Sequence, residues 1–84
     1  MPEITRFYGI VISMYFKPKE HEPKHIHAIY SGYKGTFDIK TGKMISGNLP
    51  KKAQKLIKEW IIKFSEDLEK MWDLQIVHKL PPLL

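Results

Sequence analysis

The chain has 84 residues, of which 43% are hydrophobic and 12% aromatic, with a net charge of +5 and no cysteine. This composition excludes a disordered chain, disulfide bonds and thiolate metal sites, and it favours one small domain with anionic partners such as RNA. No apolar run reaches the ~20 residues that span a bilayer, and the N-terminus lacks the layout of a secretion signal, so we expect a cytoplasmic protein without a membrane segment.

Strand patterns occupy the first half of the chain. Residues 9–16 and 24–31 are rich in β-branched and aromatic side chains and alternate in polarity, and shorter stretches follow at 36–40 and 43–46. A loop with two prolines separates the first two stretches, and turns that contain glycine separate the others. Such short connections between successive strands predict an antiparallel meander of three or four strands.

One long helix is predicted over residues 50–73. Asn48 can cap its N-terminus, and Pro50 suits its first turn because proline has no N–H to leave unpaired. Apolar residues recur at spacings of three and four and form one stripe, which comprises Ala53, Leu56, Ile57, Trp60, Ile61, Phe64, Leu68, Met71 and Trp72. We therefore predict an α+β domain over residues 1–73, in which this helix covers one face of the sheet.

Residues 74–84 form an apolar C-terminal tail after the predicted helix. Leu80, Leu83 and Leu84 surround two prolines, and exposure of these side chains to water is unfavourable. We expect the tail to dock, either on its own domain or on a partner, including a second copy of the chain.

Three of the four histidines lie within seven positions of one another. His25 and His27 are two apart on a predicted strand, so both rings should leave the sheet face opposite the helix. His21 lies in the loop that precedes this strand. If the strands pair in chain order, Tyr15 and Asp38 flank the two rings on neighbouring strands.

This histidine cluster is consistent with three kinds of site. His21, His25 and His27 could bind zinc or another transition metal, since neutral imidazoles are good ligands. The same histidines, with Tyr15 and Asp38, could instead act as general acid and base near neutral pH, with metal-free cleavage of RNA as the natural reaction. The third alternative is a patch that contacts a partner without chemistry.

Lysines crowd the first half of the predicted helix, whereas acidic residues lie in its second half. The helix dipole prefers the reverse order, so this arrangement indicates a use other than helix stability. A surface of this kind can bind the phosphate groups of a nucleic acid, so the lysines predict nucleic-acid binding. The alternative is that these lysines form an ordinary solvated face of the helix. The candidate residues are Arg6, Lys24, Lys51, Lys52, Lys55 and Lys58, to which Lys17, Lys19, Lys34 and Lys40 add further positive charge.

These residues together resemble a family of small prokaryotic proteins that share a domain of unknown function. The first matches to the family pattern are Pro2, Glu3, Ile4, Arg6, Phe7, Gly9, Ile10, Met14, Tyr15 and Phe16. The most specific part of the pattern is an acidic residue, His, any residue and then Pro-Pro-His-Phe-His-Ala. It matches Glu20, His21, Glu22, Pro23, Lys24, His25, Ile26, His27 and Ala28.

The resemblance extends to about residue 72 and leaves out the tail. Later matches are Phe37, Asp38, Gly42, Gly47, Leu49, Pro50 and Trp60. The chain departs from the family at Lys24, where a proline is usual, at Ile26, where phenylalanine is usual, and in extra loop residues after Phe16. The three histidines are all retained.

Members of this family are often encoded beside a second small protein, in the manner of a toxin–antitoxin pair. The resemblance therefore implies a toxin-like component that binds a small partner protein encoded nearby and acts on RNA. Our leading hypothesis combines this role with RNA binding by the lysines and a histidine centre. The alternatives are a non-enzymatic interaction module, which uses the open sheet face and the tail, and a metal-binding or metal-sensing protein.

Overall fold

The computed structural model describes residues 3–15 and 23–83. Within these residues a five-stranded antiparallel sheet precedes two helices, which confirms the α+β class. The strands are β1 (Glu3–Phe7), β2 (Ile10–Ser13), β3 (His25–Tyr30), β4 (Tyr33–Asp38) and β5 (Met44–Gly47), and they lie side by side in chain order. The helices are α1 (Lys51–Lys63) and α2 (Ser65–Leu74).

The prediction of three or four strands was wrong, because it missed β1. A two-residue turn at Tyr8 and Gly9 joins β1 to β2, and φ is positive at both residues, 50° and 79°. Such turns match the natural twist of a hairpin. A second turn of this kind, at Ser31 and Gly32, starts β4 at Tyr33 rather than at residue 36.

The prediction of one long helix was also wrong, since the chain leaves helical geometry at Phe64, where φ is −114°. The apolar stripe nevertheless continues across this break. The buried helical residues are Ala53, Ile57, Trp60 and Ile61 in α1 and Leu68 and Met71 in α2. Because their spacing stays helical, the periodicity of the sequence cannot reveal the interruption.

The N-terminus of α1 does not use the predicted asparagine cap. Pro50 is the N-cap residue, and no side chain accepts a hydrogen bond from the first turn. Asn48 instead donates its backbone N–H to the Lys34 carbonyl oxygen at 2.8 Å, which continues the pairing of β4 and β5. The side-chain amide of Gln54 donates to the Leu49 carbonyl oxygen at 2.7 Å.

The two helices cover one face of the sheet, as predicted for a single helix. Alternate residues of the strands, among them Ile12, Ile26 and Phe37, are 0% exposed and share one apolar core with Ile57 and Trp60. Each such side chain stabilises the fold by roughly 1.5–3 kcal/mol through burial. Because the core lies between the sheet and the helices, the other face of the sheet points away from the helices.

The C-terminal tail lies against its own domain. Val77, Leu80 and Leu83 are half-buried against the core. The backbone N–H of Leu80 donates to the Ile4 carbonyl oxygen at 3.1 Å, and the indole N–H of Trp60 donates to the Pro81 carbonyl oxygen at 2.8 Å. The tail therefore borders β1, the first edge strand of the sheet. In the described parts of the chain, neither helix has the length and apolar content that crossing a membrane requires.

Candidate functional site: a polar depression on the open sheet face

The open face of the sheet carries polar side chains in register. Ser13, His27, Thr36 and Ser46 are successive partners across β2, β3, β4 and β5. Side chains alternate between the faces of a sheet, so these residues lie opposite the apolar core. The row next to them, toward the hairpin turns, contains Arg6, Val11, Ile29 and Lys34.

A depression of about 440 Å³ lies on this face, and we call it the His27 depression. It is lined by Tyr15, His27, Ala28, Ile29, Lys34, Gly35, Thr36, Ser46 and Gly47. Only glycine fits at Gly47, because φ is 103° there and a Cβ atom would overlap the Lys34 carbonyl oxygen. The depression thus brings an imidazole, a phenol, two hydroxyls and an ammonium group to one surface.

Four aromatic rings form a continuous row beneath and beside the depression. The Tyr15 and His27 ring centroids are 4.7 Å apart with the rings nearly perpendicular, and those of His27 and His25 are 5.2 Å apart. The His25 centroid lies 5.0 Å from that of Trp72 in α2. The Nε2 atom of His27 is buried within this packing. Ring orientation in the site is therefore determined by contacts on both sides.

His25 is less accessible than the alternation predicts, with only 8% of its surface exposed. The end of α2 reaches round the start of β3, so Trp72 covers this ring. The Nδ1 atom of His25 lies 2.9 Å from the Pro23 carbonyl oxygen. Because a carbonyl oxygen only accepts, Nδ1 carries a proton, and in the neutral ring Nε2 holds the lone pair. His25 is thus a buried neighbour of His27 that does not line the depression.

Asp38 lies directly across from His25 in β4, on the opposite side of β3 from Tyr15, as predicted from the strand order. Its Oδ1 atom accepts hydrogen bonds from the backbone N–H groups of Lys40 and Thr41, at 2.7 Å and 3.3 Å. Asp38 therefore stabilises the turn between β4 and β5. This bonding favours a structural role for its carboxylate over the predicted catalytic one.

The predicted metal site depends on His21, which lies outside the described residues. Among residues 3–15 and 23–83, no group of three or more His, Asp or Glu side chains could hold a metal ion. His25 and His27 supply two neighbouring imidazoles, and the Nδ1 atom of His25 is engaged by Pro23. Zinc binding at His21, His25 and His27 therefore stays a prediction that requires the preceding loop.

Lys24 is not free to contact a nucleic acid, although it was predicted to do so. Its ammonium group lies 2.8 Å from an Asp73 carboxylate oxygen and 3.5 Å from one of Glu69, and its side chain is only 15% exposed. The hydrogen bond to Asp73 raises the pKa of Lys24, against the smaller opposing effect of desolvation. Lys24 attaches α2 to the start of β3 and thereby helps hold Trp72 over His25.

The other predicted nucleic-acid contacts divide among separate parts of the surface. Arg6 lies on the open face, where its guanidinium donates to a Glu3 carboxylate oxygen at 2.7 Å. Lys55 and Lys58 line a shallow depression with Lys43, beside the turn between β4 and β5. Lys51 and Lys52 are exposed at the start of α1. The structure does not gather the predicted set into one basic surface.

Lys34 and Trp72 are among the residues of the site that were not singled out from the sequence. Lys34 was noted only as added charge, yet it lines the His27 depression. Its position could have been predicted from the sequence, because a two-residue turn at Ser31 and Gly32 places Lys34 opposite Ile29. Trp72 was assigned to the apolar stripe, and its contact with His25 had no sequence signal.

The profile of a family described as "Domain of unknown function (DUF4160)" matches residues 9–73 of the chain. The chain belongs to this family, and the resemblance to a family of unknown function is confirmed. The match includes Tyr15, His25, His27 and Lys34, and it leaves out β1 and the whole of the tail. No curated protein and no solved structure matches the chain.

Proposed function

We propose that this DUF4160 member is the toxin-like component of a two-gene module and that it cleaves RNA at the His27 depression. The observation that carries this proposal is the packing of Tyr15 against His27 in a depression that Lys34 also lines. These three side chains are the acid–base and cationic groups that transfer of a phosphodiester requires. The two-gene setting follows from the family resemblance described above.

The chemistry needs two proton transfers and one new bond. A base removes the proton from a ribose 2′-hydroxyl, the 2′-oxygen then bonds to the adjacent phosphorus, and the P–O5′ bond breaks as the leaving 5′-oxygen gains a proton. His27 suits the base because its ring lines the depression, and since its Nε2 atom is buried, Nδ1 is the nitrogen that would accept the proton. The Tyr15 phenol is suited to donate the proton to the leaving oxygen, and the Lys34 ammonium group is suited to stabilise the negative charge that develops on the phosphate oxygens.

His25 acts as a positioning residue in this proposal. Its ring lies between those of His27 and Trp72, and its bond to Pro23 sets its orientation. A neighbouring imidazole of fixed orientation holds the His27 ring against Tyr15. With His21 as a third ligand, the same pair could hold zinc, which would supply an activated water instead of the His27 base.

Binding of a protein partner by the open face is the second candidate function. Ile45 is 47% exposed on β5, the sheet edge that the tail does not border. Such an edge can pair with a strand of another chain. The tail contributes less to this alternative than the sequence suggested, because Leu80 and Leu83 already pack on their own domain.

The proposal is tested by incubating the purified protein with unstructured RNA, with and without a chelator, and comparing His27→Ala with wild type. We expect cleavage by the wild type and a loss of at least about 100-fold in the variant, the usual contribution of a general base. His78→Ala is the matched control, since His78 is an exposed histidine of the tail.

Thermal unfolding of all three proteins verifies that the His27 variant is folded. Cleavage that the chelator abolishes would favour the zinc form of the proposal. Intact RNA with wild-type protein, or equal cleavage by wild type and His27→Ala, would reject the catalytic assignment and leave the partner-binding function as the better explanation.

A further inference from the structure

We infer that the hairpin end of the sheet is a base-stacking site for single-stranded RNA, formed by Tyr8, Tyr30 and Tyr33, which we call the tyrosine surface. This inference rests on the proposed action on RNA and adds how the chain would hold its substrate. It concerns residues that play no part in the proposed chemistry. The argument depends on their position, their exposure and the charges beside them.

The three tyrosines meet because two hairpin turns lie at the same end of the sheet. Ile10, which follows the first turn, pairs with Tyr30, and Tyr30 pairs with Tyr33 across the second turn. Tyr8 and Tyr30 both line a depression of about 400 Å³ between this end and α1. The Tyr30 ring packs over the backbone of Gly9, where an added Cβ atom would lie 3.4 Å from it.

Tyr8 is an unusual residue for its position. It is 61% exposed, and its φ of 50° is a left-handed conformation that asparagine and glycine adopt more readily than a bulky aromatic residue. Its ring makes an edge contact with Phe7, at 6.1 Å between centroids, and most of it remains in solvent. Tyr33 is likewise 44% exposed. Neither the turn nor the core requires these two rings, which points to a ligand.

A cationic side chain lies beside two of these rings. Lys52 lines the same depression as Tyr8 and Tyr30. Lys34 follows Tyr33 in β4, but successive side chains of a strand alternate between its faces, so Lys34 lies on the open face and lines the His27 depression. An RNA strand that reaches both sites would therefore pass round the hairpin end of the sheet. Glu59 is the acidic residue of the lining and can accept hydrogen bonds from base amino groups.

Single-stranded nucleic acid is the ligand that matches this combination. Bases stack on aromatic side chains whatever their sequence, and neighbouring lysines pair with the phosphates. Exposed tyrosines also occur where proteins bind one another, so a protein partner is the outcome that the test must separate from RNA.

The test measures binding of 2′-O-methyl RNA, which lacks the nucleophilic 2′-hydroxyl and therefore cannot be cleaved in the proposed way. A labelled single strand is compared with an abasic strand of the same length and charge by fluorescence anisotropy. We expect the abasic strand to bind at least about fivefold more weakly, since stacking of one base contributes about 1–3 kcal/mol.

Tyr8→Asn is the informative variant, because asparagine suits the left-handed turn and removes the ring. It should unfold at the same temperature as wild type or higher, while its affinity for the intact strand falls at least about fivefold, toward that for the abasic one. Tyr8→Phe, which retains a ring, should bind like wild type. Ile62→Ala is the control for loss of another exposed apolar side chain, since Ile62 is 57% exposed on α1.

Equal binding of intact and abasic strands, or wild-type affinity in Tyr8→Asn, would overturn the stacking site. Absence of binding to either strand would overturn it as well and would favour a protein ligand. None of these results decides the proposed function, which the cleavage assay on unmodified RNA tests separately.

Discussion

The helix-covered face of the sheet and its open face are built from adjacent residues of the same strands, yet they carry side chains of opposite character. Ile12, Ile26 and Phe37 are fully buried under the helices, whereas the neighbouring Ser13, His27 and Thr36 line up on the other side. The covered face supplies the apolar burial that stabilises a small domain. The open face carries this polar row beside the apolar Val11 and Ile29, and substitutions on the two faces should have separable effects.

The largest expected effect is on stability and comes from the covered face. Trp60 is 0% exposed, packs against Phe7 and Phe64, and donates its indole N–H to Pro81. Trp60→Ala should lower the free energy of unfolding by about 3–5 kcal/mol, because it leaves a large cavity and removes an anchor of the tail. Urea denaturation measures this change.

Ile62→Ala is the control for the Trp60 substitution, since it removes an exposed apolar side chain from the same helix. It should change the free energy of unfolding by less than about 0.5 kcal/mol. Similar losses in the two variants would contradict the assignment of Trp60 to the core. His27→Ala should in turn affect cleavage far more than unfolding.

A smaller effect should distinguish two lysines that the sequence does not separate. Lys34→Met should weaken RNA binding and reduce the dependence of log affinity on log salt by about 1, the change expected for one lost phosphate contact. Lys24→Met should leave both quantities unchanged, because Asp73 and Glu69 already engage its ammonium group. RNA titrations at several salt concentrations measure both variants.

The two lysine variants also differ in their expected effect on folding. Lys24→Met leaves Asp73 and Glu69 without their cation and should lower the unfolding temperature, whereas Lys34 is exposed and should not affect it. Equal loss of RNA affinity in both variants would show that binding depends on net charge rather than on the His27 depression.

The smallest expected effect concerns pH and the ion pairs beside β1. The hydrogen bond from Arg6, the largest influence, lowers the pKa of Glu3, and Lys79 lowers it further. A carboxyl with a lowered pKa in the folded state stabilises the fold above its ordinary pKa and loses this contribution as pH falls through the folded value. Glu3→Gln should therefore lower the unfolding temperature slightly at neutral pH and have no effect in acid.

Glu59→Gln is the control for this comparison, because Glu59 is an exposed carboxylate in the middle of α1. Melting curves across the acid range measure the difference between each variant and wild type. A Glu3 difference that persists in strong acid would show that the side chain acts through packing and not through its charge.

The limits of prediction from the sequence are clearest at His25 and His27. Alternation along β3 correctly placed both on the side of the strand away from Ile26 and Ala28, and the strand order correctly placed Tyr15 and Asp38 beside them. Their environments nevertheless differ, since Trp72 covers His25 whereas His27 lines the depression. That difference depends on the direction of α2 after the break at Phe64, which helical periodicity does not encode.

The α+β class, the apolar stripe of the helical region and the face of the strand on which the two histidines lie could all be predicted from the amino-acid sequence. These features follow from local periodicity, because strand and helix repeats assign each residue to one side of its element. The pairing of the cations, the covering of one histidine and the docking of the tail became apparent only from the folded chain. Those outcomes depend on contacts between residues far apart in the chain, and the sequence pattern carries no information on such distances.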